Sequence, residues 1–562
     1  MLDSRSRPAD LVAGSFRHKL NWAVNSEGKL CRRQGHEKFF ADFSPYTNHD
    51  HHQRGRTRKP LTLIFQCQDG CGVRHLFDGT ESEISKLDYS TGTWTDIVTG
   101  KGSINSRWTA ATLQDKVFFT NNVDNVLCWD ITGAGLVPLP DLLAQGITAA
   151  KIVIEYQGCI FVMNLMQNGK RQVARVEWSD LNDGTVWAPG DPSIANFQDL
   201  DYGDPILNAC LLQGDMYIFT RNSIWRCSST ATAQGAFAFK RIYTEPKQQA
   251  KCLAYDFTLV STGLDAYWLG RETVYTYNPY LPEPKRADQE VTDWLHKAAG
   301  LIYRKLDTQI DSNYCTAPVA AFLPVSREIW FSWPTSGQNG INSLCLVAQV
   351  DQRTADLVDV GYTAFVNERR NPTGDGVCNE AQDFLGASGR DYAIKSIGGV
   401  FYREWLTLLD PSLDITDALY FNEGYNSIMR GIFPTGFNDR EKVIKTVLVD
   451  DDTAMQDVPG IVRLRIGNAP TNVDPNDDDD VCAPQWNLIT PDVTLACQDG
   501  RTISSLAKGG LRAAVGIEWP AYEEGIFLFF ELTILGADGG PAIGCDTCWS
   551  RIDFEAMAKP KP

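Results

Sequence analysis

Between about residue 61 and residue 405, short apolar segments alternate with polar turns rich in Gly, Asn and Asp. The apolar segments are rich in β-branched and aromatic residues, a pattern typical of β-strands. They come in pairs, which predicts hairpins at 74–94, 115–130, 158–180, 214–227, 264–277, 327–350 and 391–405. The hairpin at 158–180 turns at Asn168-Gly169, a dipeptide that strongly favours a two-residue hairpin turn.

The spacing of these hairpins indicates the architecture. Successive hairpins lie roughly 40 to 65 residues apart, near or above the repeat length of β-propeller blades. The first strand of each is the more apolar, as four-stranded blades stacked around a channel require. We therefore expect a mainly β fold with a β-propeller of six to eight blades over 61–405. A pair of β-sandwiches, which uses similar hairpins without a fixed repeat, is the alternative.

Three further segments depart from the hairpin pattern. Residues 1–60 are polar and irregular, and we interpret them as an N-terminal arm. Residues 406–562 alternate in a way that predicts a separate C-terminal β-domain, a β-sandwich or jelly roll, with 525–535 as its central strand. Residues 285–307 predict a helical insertion, because one stripe at helical spacing is apolar: Val291, Trp294, Leu295, Ala298, Leu301 and Ile302.

Size and charge narrow the function. A chain of 562 residues is too long for one ordinary core, so two to four domains are expected. A net charge of −18 argues against a protein whose main task is to grip nucleic-acid phosphates. The same negative charge is compatible with a channel surface that repels the phosphate backbone, so that nucleic acid can pass along it without adsorbing. No apolar run reaches about 18 residues, so no membrane-spanning segment is expected.

The chain has 15 cysteines. The first residues lack the apolar segment of a secretory signal, so reduced thiols are the expectation. Cys128, Cys159 and Cys345 lie within apolar runs, where a free thiol behaves as a small buried hydrophobe.

The residues for nucleophilic or nucleotide chemistry are missing. Of the seven histidines, all but His296 lie within the first 75 residues, away from most of the regular β segments. Neither a G-x-S-x-G elbow nor a Walker A motif is present. The segments LDYSTGTWTD and SDLNDGTVW are similar to the Asp-box of sialidase propellers. In both, however, the spacing of the Ser, Asp and Gly residues differs from that motif. We expect no enzyme, no catalytic residues and no cofactor-binding residues.

Two cysteine clusters are candidate metal ligands. The first is Cys67, Cys71 and His75, which His49, His51 and His52 could complete; the second is Cys545 and Cys548. A structural zinc site takes four ligands and neither cluster supplies two C-x2-C knuckles, so ordinary thiols beside turns are favoured and no metal is expected. The acidic loop 472–481 lacks the Gly and distal Glu of an EF-hand and fits a solvated loop.

The segment VARVEWSDLNDGTVWAPGD, residues 173–191, places two tryptophans around an acidic turn. It is either a sugar-binding corner or a structural one, and the hairpin GDMYIFTRNSIWRC follows it closely. These segments resemble paired motifs of the virion β-propellers of short-tailed phages, namely tail nozzle, tail hub and DNA-stabilisation proteins. The resemblance covers about residues 15–280 and rests on Val176, Trp178, Ser179, Asp180 and Trp187, on Gly214, Asp215, Tyr217, Ile218, Phe219, Ser223, Ile224 and Trp225, and on Asn21, Gly28, Leu30, Arg33 and Gly35. Met216 stands where Leu is commoner.

The resemblance implies a structural component of the virion tail, assembled in the host cytoplasm. Such a nozzle or hub forms a homo-oligomeric ring, usually a hexamer, around the DNA exit channel, and it retains and then passes genomic DNA during ejection. Other tail proteins, on the adaptor or portal side and as fibres or spikes, are the expected partners. The corner would then be architectural, and the acidic loop 472–481 would face the lumen or the tip. The alternative is a receptor-binding or glycan-degrading propeller at the tail tip.

Overall fold

The computed structural model describes residues 62–349, apart from 288–309, 335–341 and shorter gaps. Before and after this range it describes the backbone of the strands given below. Strands dominate, and the described part of the chain has a single α-helix, α1 (Pro140–Ala144), with short 3-10 turns at Asp256–Thr258 and Ser312–Tyr314. The four N-terminal strands are β1 (His18–Leu20), β2 (Trp22–Val24), β3 (Leu30–Arg32) and β4 (His36–Lys38).

Six antiparallel blades of four strands each follow in chain order; the first five are separate sheets, and the sixth continues into a larger sheet. Blade 1 contains β5–β8 (Leu63–Gln68, Arg74–Gly79, Glu83–Asp88, Thr93–Thr99), and blade 2 contains β9–β12 (Thr109–Leu113, Lys116–Thr120, Leu127–Asp130, Gly135–Val137). Blade 3 contains β13–β16 (Ile147–Tyr156, Cys159–Gln167, Lys170–Trp178, Asn196–Asp199), and blade 4 contains β17–β20 (Ile206–Leu212, Asp215–Thr220, Ser223–Thr232, Gly235–Thr244). Blade 5 contains β21–β24 (Val260–Ser261, Ala266–Leu269, Val274–Tyr277, Lys285–Arg286), and blade 6 contains β25–β28 (Val319–Leu323, Glu328–Trp333, Leu344–Gln349, Thr354–Val358).

A further sheet lies between the last blade and the first. It pairs β29 (Ala364–Glu368), β30 (Tyr392–Ile397) and β31 (Val400–Trp405) with the N-terminal strand β4, and we name it the closing sheet. The first strands of successive blades contact one another, and β29 contacts both β25 and β5. This order confirms the propeller over the pair of sandwiches. The blade number lies within the predicted six to eight, whether or not the closing sheet is counted.

Each predicted hairpin forms the second and third strands of one of these sheets. Where their side chains are described, the second strands are mostly buried; β26 is buried along its whole length and β14 along most of it. The turn at Asn168-Gly169 has positive φ at both residues (48° and 71°), as a type I′ hairpin turn requires.

The core lies between neighbouring blades. Phe161, Trp178 and Ile218, for example, belong to one buried cluster shared by blades 3 and 4. Cys128, Cys159 and Cys345 are fully buried, as predicted, and all eight cysteines whose side chains are described are free thiols.

The predicted helical insertion is wrong at its start, since Lys285 and Arg286 form the short edge strand β24, paired with β23. A two-residue strand is too short to leave a periodic signal, so the sequence pattern does not separate it from the helical stripe that begins at Val291. Residues 288–307 of the predicted helix lie outside the described residues.

The C-terminal strands are β32 (Ser427–Ile432), β33 (Lys442–Asp451), β34 (Gly460–Ala469), β35 (Gln485–Leu495), β36 (Val515–Gly525), β37 (Phe527–Gly536) and β38 (Cys548–Ala558). They belong to two sheets, of order β25-β26-β27-β28-β1-β32-β37-β34-β35 and β2-β3-β38-β33-β36. As predicted from its apolar sequence, β37 has strands on both sides. The strands β1, β2 and β3 of the predicted arm join these sheets, which the sequence pattern did not indicate. A separate sandwich or jelly roll, and the boundaries 1–60, 61–405 and 406–562, stay predictions.

Candidate functional site

The tryptophan corner starts at the end of β15 and leads into β16. Trp178 is the last residue of β15, and its indole N–H donates to the carbonyl oxygen of Ile194 at 2.8 Å. Its ring stacks on Phe161, with centroids 5.8 Å apart, and meets Phe237 edge-on at 5.5 Å. Since only 5% of Trp178 is exposed, its ring is not available to stack on a sugar.

The second tryptophan of the corner, Trp187, is fully buried in the core between blades 2 and 3. Its indole N–H donates to the carbonyl of Gly184 at 2.8 Å, and its backbone N–H donates to Asp141 Oδ2 at 3.0 Å. A Cβ on Gly184 would lie 2.3 Å from Phe118 Cζ, so the turn approaches blade 2 too closely for any side chain.

The polar residues of the corner support the same turn. Ser179 Oγ accepts the backbone N–H of Ile160 at 3.0 Å. Asp180 Oδ1 accepts the backbone N–H of Ile194 at 2.8 Å. Each therefore satisfies a backbone donor where the chain leaves the ladder. The described geometry favours the architectural interpretation of the corner over the sugar-binding one.

The hairpin at 214–227 has an equally structural geometry. Gly214 has a φ of 88°, a left-handed conformation that glycine adopts without steric cost. Asp215 pairs with Arg226 at 2.5 Å across the hairpin. The hydroxyl of Tyr156, on blade 3, donates to Asp215 Oδ1 at 3.3 Å, so the pair also joins blade 4 to its neighbour.

The candidate metal ligands Cys67, Cys71 and His75 do not converge. Cys67 is buried in β5, whereas Cys71 is exposed in the following turn. His75 Nε2 lies 3.0 Å from Asp69 Oδ2. Burial raises the pKa of Cys67 to about 12, which disfavours the thiolate that a metal needs. No three potential ligands group together among the residues that the structure describes.

The remaining candidates cannot be placed. His49, His51, His52, Cys545 and the acidic loop 472–481 lie outside the described residues, as does the side chain of Cys548.

A polar cluster lies on the propeller axis, and sequence reasoning missed it. Arg107, just before β9 of blade 2, donates from Nη1 to the carbonyl of Ala317, just before β25 of blade 6, at 3.3 Å. The same guanidinium lies 5.4 Å from the ring centroid of Phe257, just before β21 of blade 5. Because blades 2 and 5 are not neighbours in the ring, these contacts cross the axis.

Blades 3 and 4 contribute to the same cluster. Lys151 Nζ, on β13, pairs with Asp256 Oδ2 at 2.5 Å, with both side chains mostly buried. Asn208 Nδ2, on β17, donates to the carbonyl of Asp256 at 2.6 Å. We name Arg107, Lys151, Asn208, Asp256 and Phe257 the axial cluster.

The charged side chains of the axial cluster have a geometry suited to holding blades together. Burial lowers the pKa of Arg107 to about 9, which leaves it protonated at neutral pH. The positive charge of Lys151, on blade 3, is neutralised by the carboxylate of Asp256, on blade 5. Among the described residues, these contacts link blades that are not neighbours and so cross the centre of the ring at this level.

Within the described ranges, no helix is long and apolar enough to cross a membrane. No family model and no curated protein matches the chain. The solved structures similar to it include the β-propeller domain of Cps50 (Swd1) from Myceliophteria thermophila, at 10% identity and a TM-score of 0.37, covering 63% of this chain and 98% of that one. Another is YCF48 bound to D1 peptide, at 10% identity and a TM-score of 0.34, covering 64% of this chain and 94% of that one. At such low identity and TM-score, the likenesses do not extend to function.

Proposed function

We propose that this protein is a non-enzymatic structural component of a phage tail, a nozzle or hub that forms a ring around the DNA exit channel. The observation that carries the proposal is the tryptophan corner and its following hairpin. Their sequence resembles virion propellers, and their described side chains hold blades together. Trp178 and Trp187 are covered by protein, and Asp215 joins two blades.

The geometry of the axis favours a channel between subunits. The axial cluster joins blades 2, 3, 4, 5 and 6 across the centre of the propeller. DNA would therefore pass beside each propeller, through the hole of a ring of several copies. Six copies, as in the family that the sequence resembles, are part of the proposal.

The charge of the chain suits this role. A chain with a net charge of −18 repels a phosphate backbone. Contact with it would release no counter-ions from DNA, so the usual driving force for DNA binding is missing. DNA would move past such a wall during ejection without adsorbing. The same wall, with other tail proteins below it, would retain the DNA until ejection begins.

The test is electron microscopy of the native particle labelled with an antibody against this chain. We expect label at a single vertex on the tail axis, and sixfold averages with a central hole. A pre-immune antibody on the same particles is the control.

Label on peripheral threefold appendages would contradict the ring and favour the receptor-binding or glycan-degrading alternative. Glycan binding and cleavage by the purified chain would then be measured. Label distributed over the capsid would exclude both roles.

A further inference from the structure

Glu177 is a buried carboxyl between blades 2 and 3. It is 2% exposed, and neither carboxyl oxygen has a hydrogen-bond partner within the described part of the chain. Its strand neighbours Val176 and Trp178 belong to the core shared with blade 4. Glu177 therefore points to the other face of β15, and its cross-strand partner Val162 belongs to the core shared with blade 2.

On that face, two segments are tied together. The first is the linker 139–146, which contains α1, and the second is the corner. Gln145 Nε2 donates to the carbonyl of Trp187 at 2.9 Å, and Asp141 Oδ2 accepts the backbone N–H of Trp187 at 3.0 Å. The side chain of Gln145 also lies close to the Glu177 carboxyl and lowers its pKa through a weak hydrogen bond, which falls short of the full geometry of the bond to Trp187. The carboxyl is thus next to the bonds that hold the corner.

Burial raises the pKa of Glu177 to about 7, and the opposing effects of Arg175 and Gln145 are too weak to cancel it. Arg175 is itself engaged by Asp199, at 2.6 Å on the neighbouring strand. The charged groups on the surrounding elements are Lys170, Arg171 and Arg175 on β15, Asp199 on β16, Asp141 on α1, Lys151 and Glu155 on β13, Asp180 and Asp183 in the corner, and Lys116 and Asp130 on blade 2; β14 has none.

We propose that the contact between the linker 139–146 and the corner is a pH-sensitive latch, which neutral Glu177 keeps closed and ionised Glu177 loosens. A carboxylate with at most one weak hydrogen bond, from Gln145, is costly to bury, whereas the neutral acid is much less so. Opening the corner admits water to the carboxylate and removes that cost. The latch is a property of this corner alone and does not depend on the role in a phage tail.

The direction of the pH effect follows from the pKa values of the two states. The ordinary pKa of 4.5 applies when the latch is open, and about 7 applies when it is closed. Opening is therefore rarest below pH 4.5, becomes more frequent as the pH rises to 7, and is constant above. The opening equilibrium changes by at most about 300-fold over that interval.

Hydrogen exchange with mass spectrometry tests the latch. Exchange of a peptide over 179–190 is measured from pH 4.5 to 8.5 and corrected for the intrinsic pH dependence of exchange. We expect protection to fall by between about 10-fold and about 300-fold up to pH 7 in the wild type and to be independent of pH in Glu177→Gln. The matched control is Glu155→Gln, because Glu155 lies on the adjacent β13 and accepts the N–H of Gly158 at 2.8 Å.

Two outcomes would overturn the latch. One is wild-type protection that does not change with pH, and the other is a Glu177→Gln profile equal to that of the wild type. Peptides from β22 and β23 report global unfolding, so a parallel loss of protection there would also contradict a local latch. If Glu177→Gln does not fold, Glu177→Leu removes the titrating group and must give the same flat profile.

Discussion

At the scale of single residues, the tryptophan corner shows how large aromatic groups can be buried without losing hydrogen bonds. Trp178 and Trp187 each donate the indole N–H to a carbonyl of the same loop. The rings therefore contribute their apolar area to the blade interfaces, while the polar atom stays satisfied. We infer that these residues determine the shape of the corner.

Replacing Trp187 by Ala should destabilise the protein by roughly 3–5 kcal/mol, because a fully buried ring is replaced by a cavity. Trp187→Phe is the matched control: it keeps much of the apolar area and loses the bond to Gly184, worth about 1 kcal/mol. Denaturant unfolding followed by circular dichroism measures both variants. A folded Trp187→Ala protein with unchanged stability but lost glycan binding would show that the corner is a binding site.

The described cysteines differ sharply in exposure, which gives a second residue-scale prediction. At pH 8, iodoacetamide should modify Cys71 first, because it is exposed whereas the other seven are buried. Burial raises the pKa of Cys67 to about 12 and that of Cys128 to about 12, so these thiols stay protonated. Peptide mass spectrometry gives the order in which the cysteines are labelled. In urea, which unfolds the protein and exposes every thiol, this difference in order should disappear. Protection of Cys71 by added zinc would point to a metal site that the described geometry does not contain.

At the scale of elements, the axial cluster joins blades that are distant in the ring. The pair Lys151–Asp256 connects blade 3 to blade 5, and Arg107 connects blade 2 to blades 5 and 6. A propeller is otherwise stabilised only between neighbours, so contacts across the axis couple its blades directly.

Removing one member of the Lys151–Asp256 pair should be worse than removing both. Lys151→Met or Asp256→Asn alone leaves a mostly buried charge unpaired, at a cost of roughly 3–5 kcal/mol. The double variant should recover part of that loss, with a coupling energy of about 0.5–3 kcal/mol in a double-mutant cycle. Additive single effects in thermal or denaturant unfolding would mean that the two charges do not interact.

How much of the fold could be predicted differs between elements. The second strand of a blade could be predicted because its described residues are mostly buried and apolar, and the third because a polar turn joins it to the second. The outer strand β16, Asn196–Asp199, is exposed at every residue and has no apolar pattern. The axial cluster could not be found, because its members are separated by up to 150 residues in the chain (107 to 257) and only ring closure brings them together.

At the scale of the whole molecule, the short N-terminal strands connect the propeller to the C-terminal sheets. β4 pairs with β31 in the closing sheet, β1 pairs with both β28 and β32, and β3 pairs with β38. Three strands of three residues each thus hydrogen-bond to partners hundreds of positions away. The short resemblance motif around Gly28, Leu30 and Arg33 lies in this connecting segment.

These pairings have a consequence for how the protein is made. A ribosome releases β1, β3 and β4 before the blades, but their partners β31, β32 and β38 emerge only after all six blades. We expect the early strands to keep unpaired edges until these partners have been synthesised, since a pairing between distant segments cannot form before both are present. Completion of the fold, and with it any assembly that needs the finished surface, is thereby postponed until β38 has been synthesised and the Cys31–Cys548 register forms.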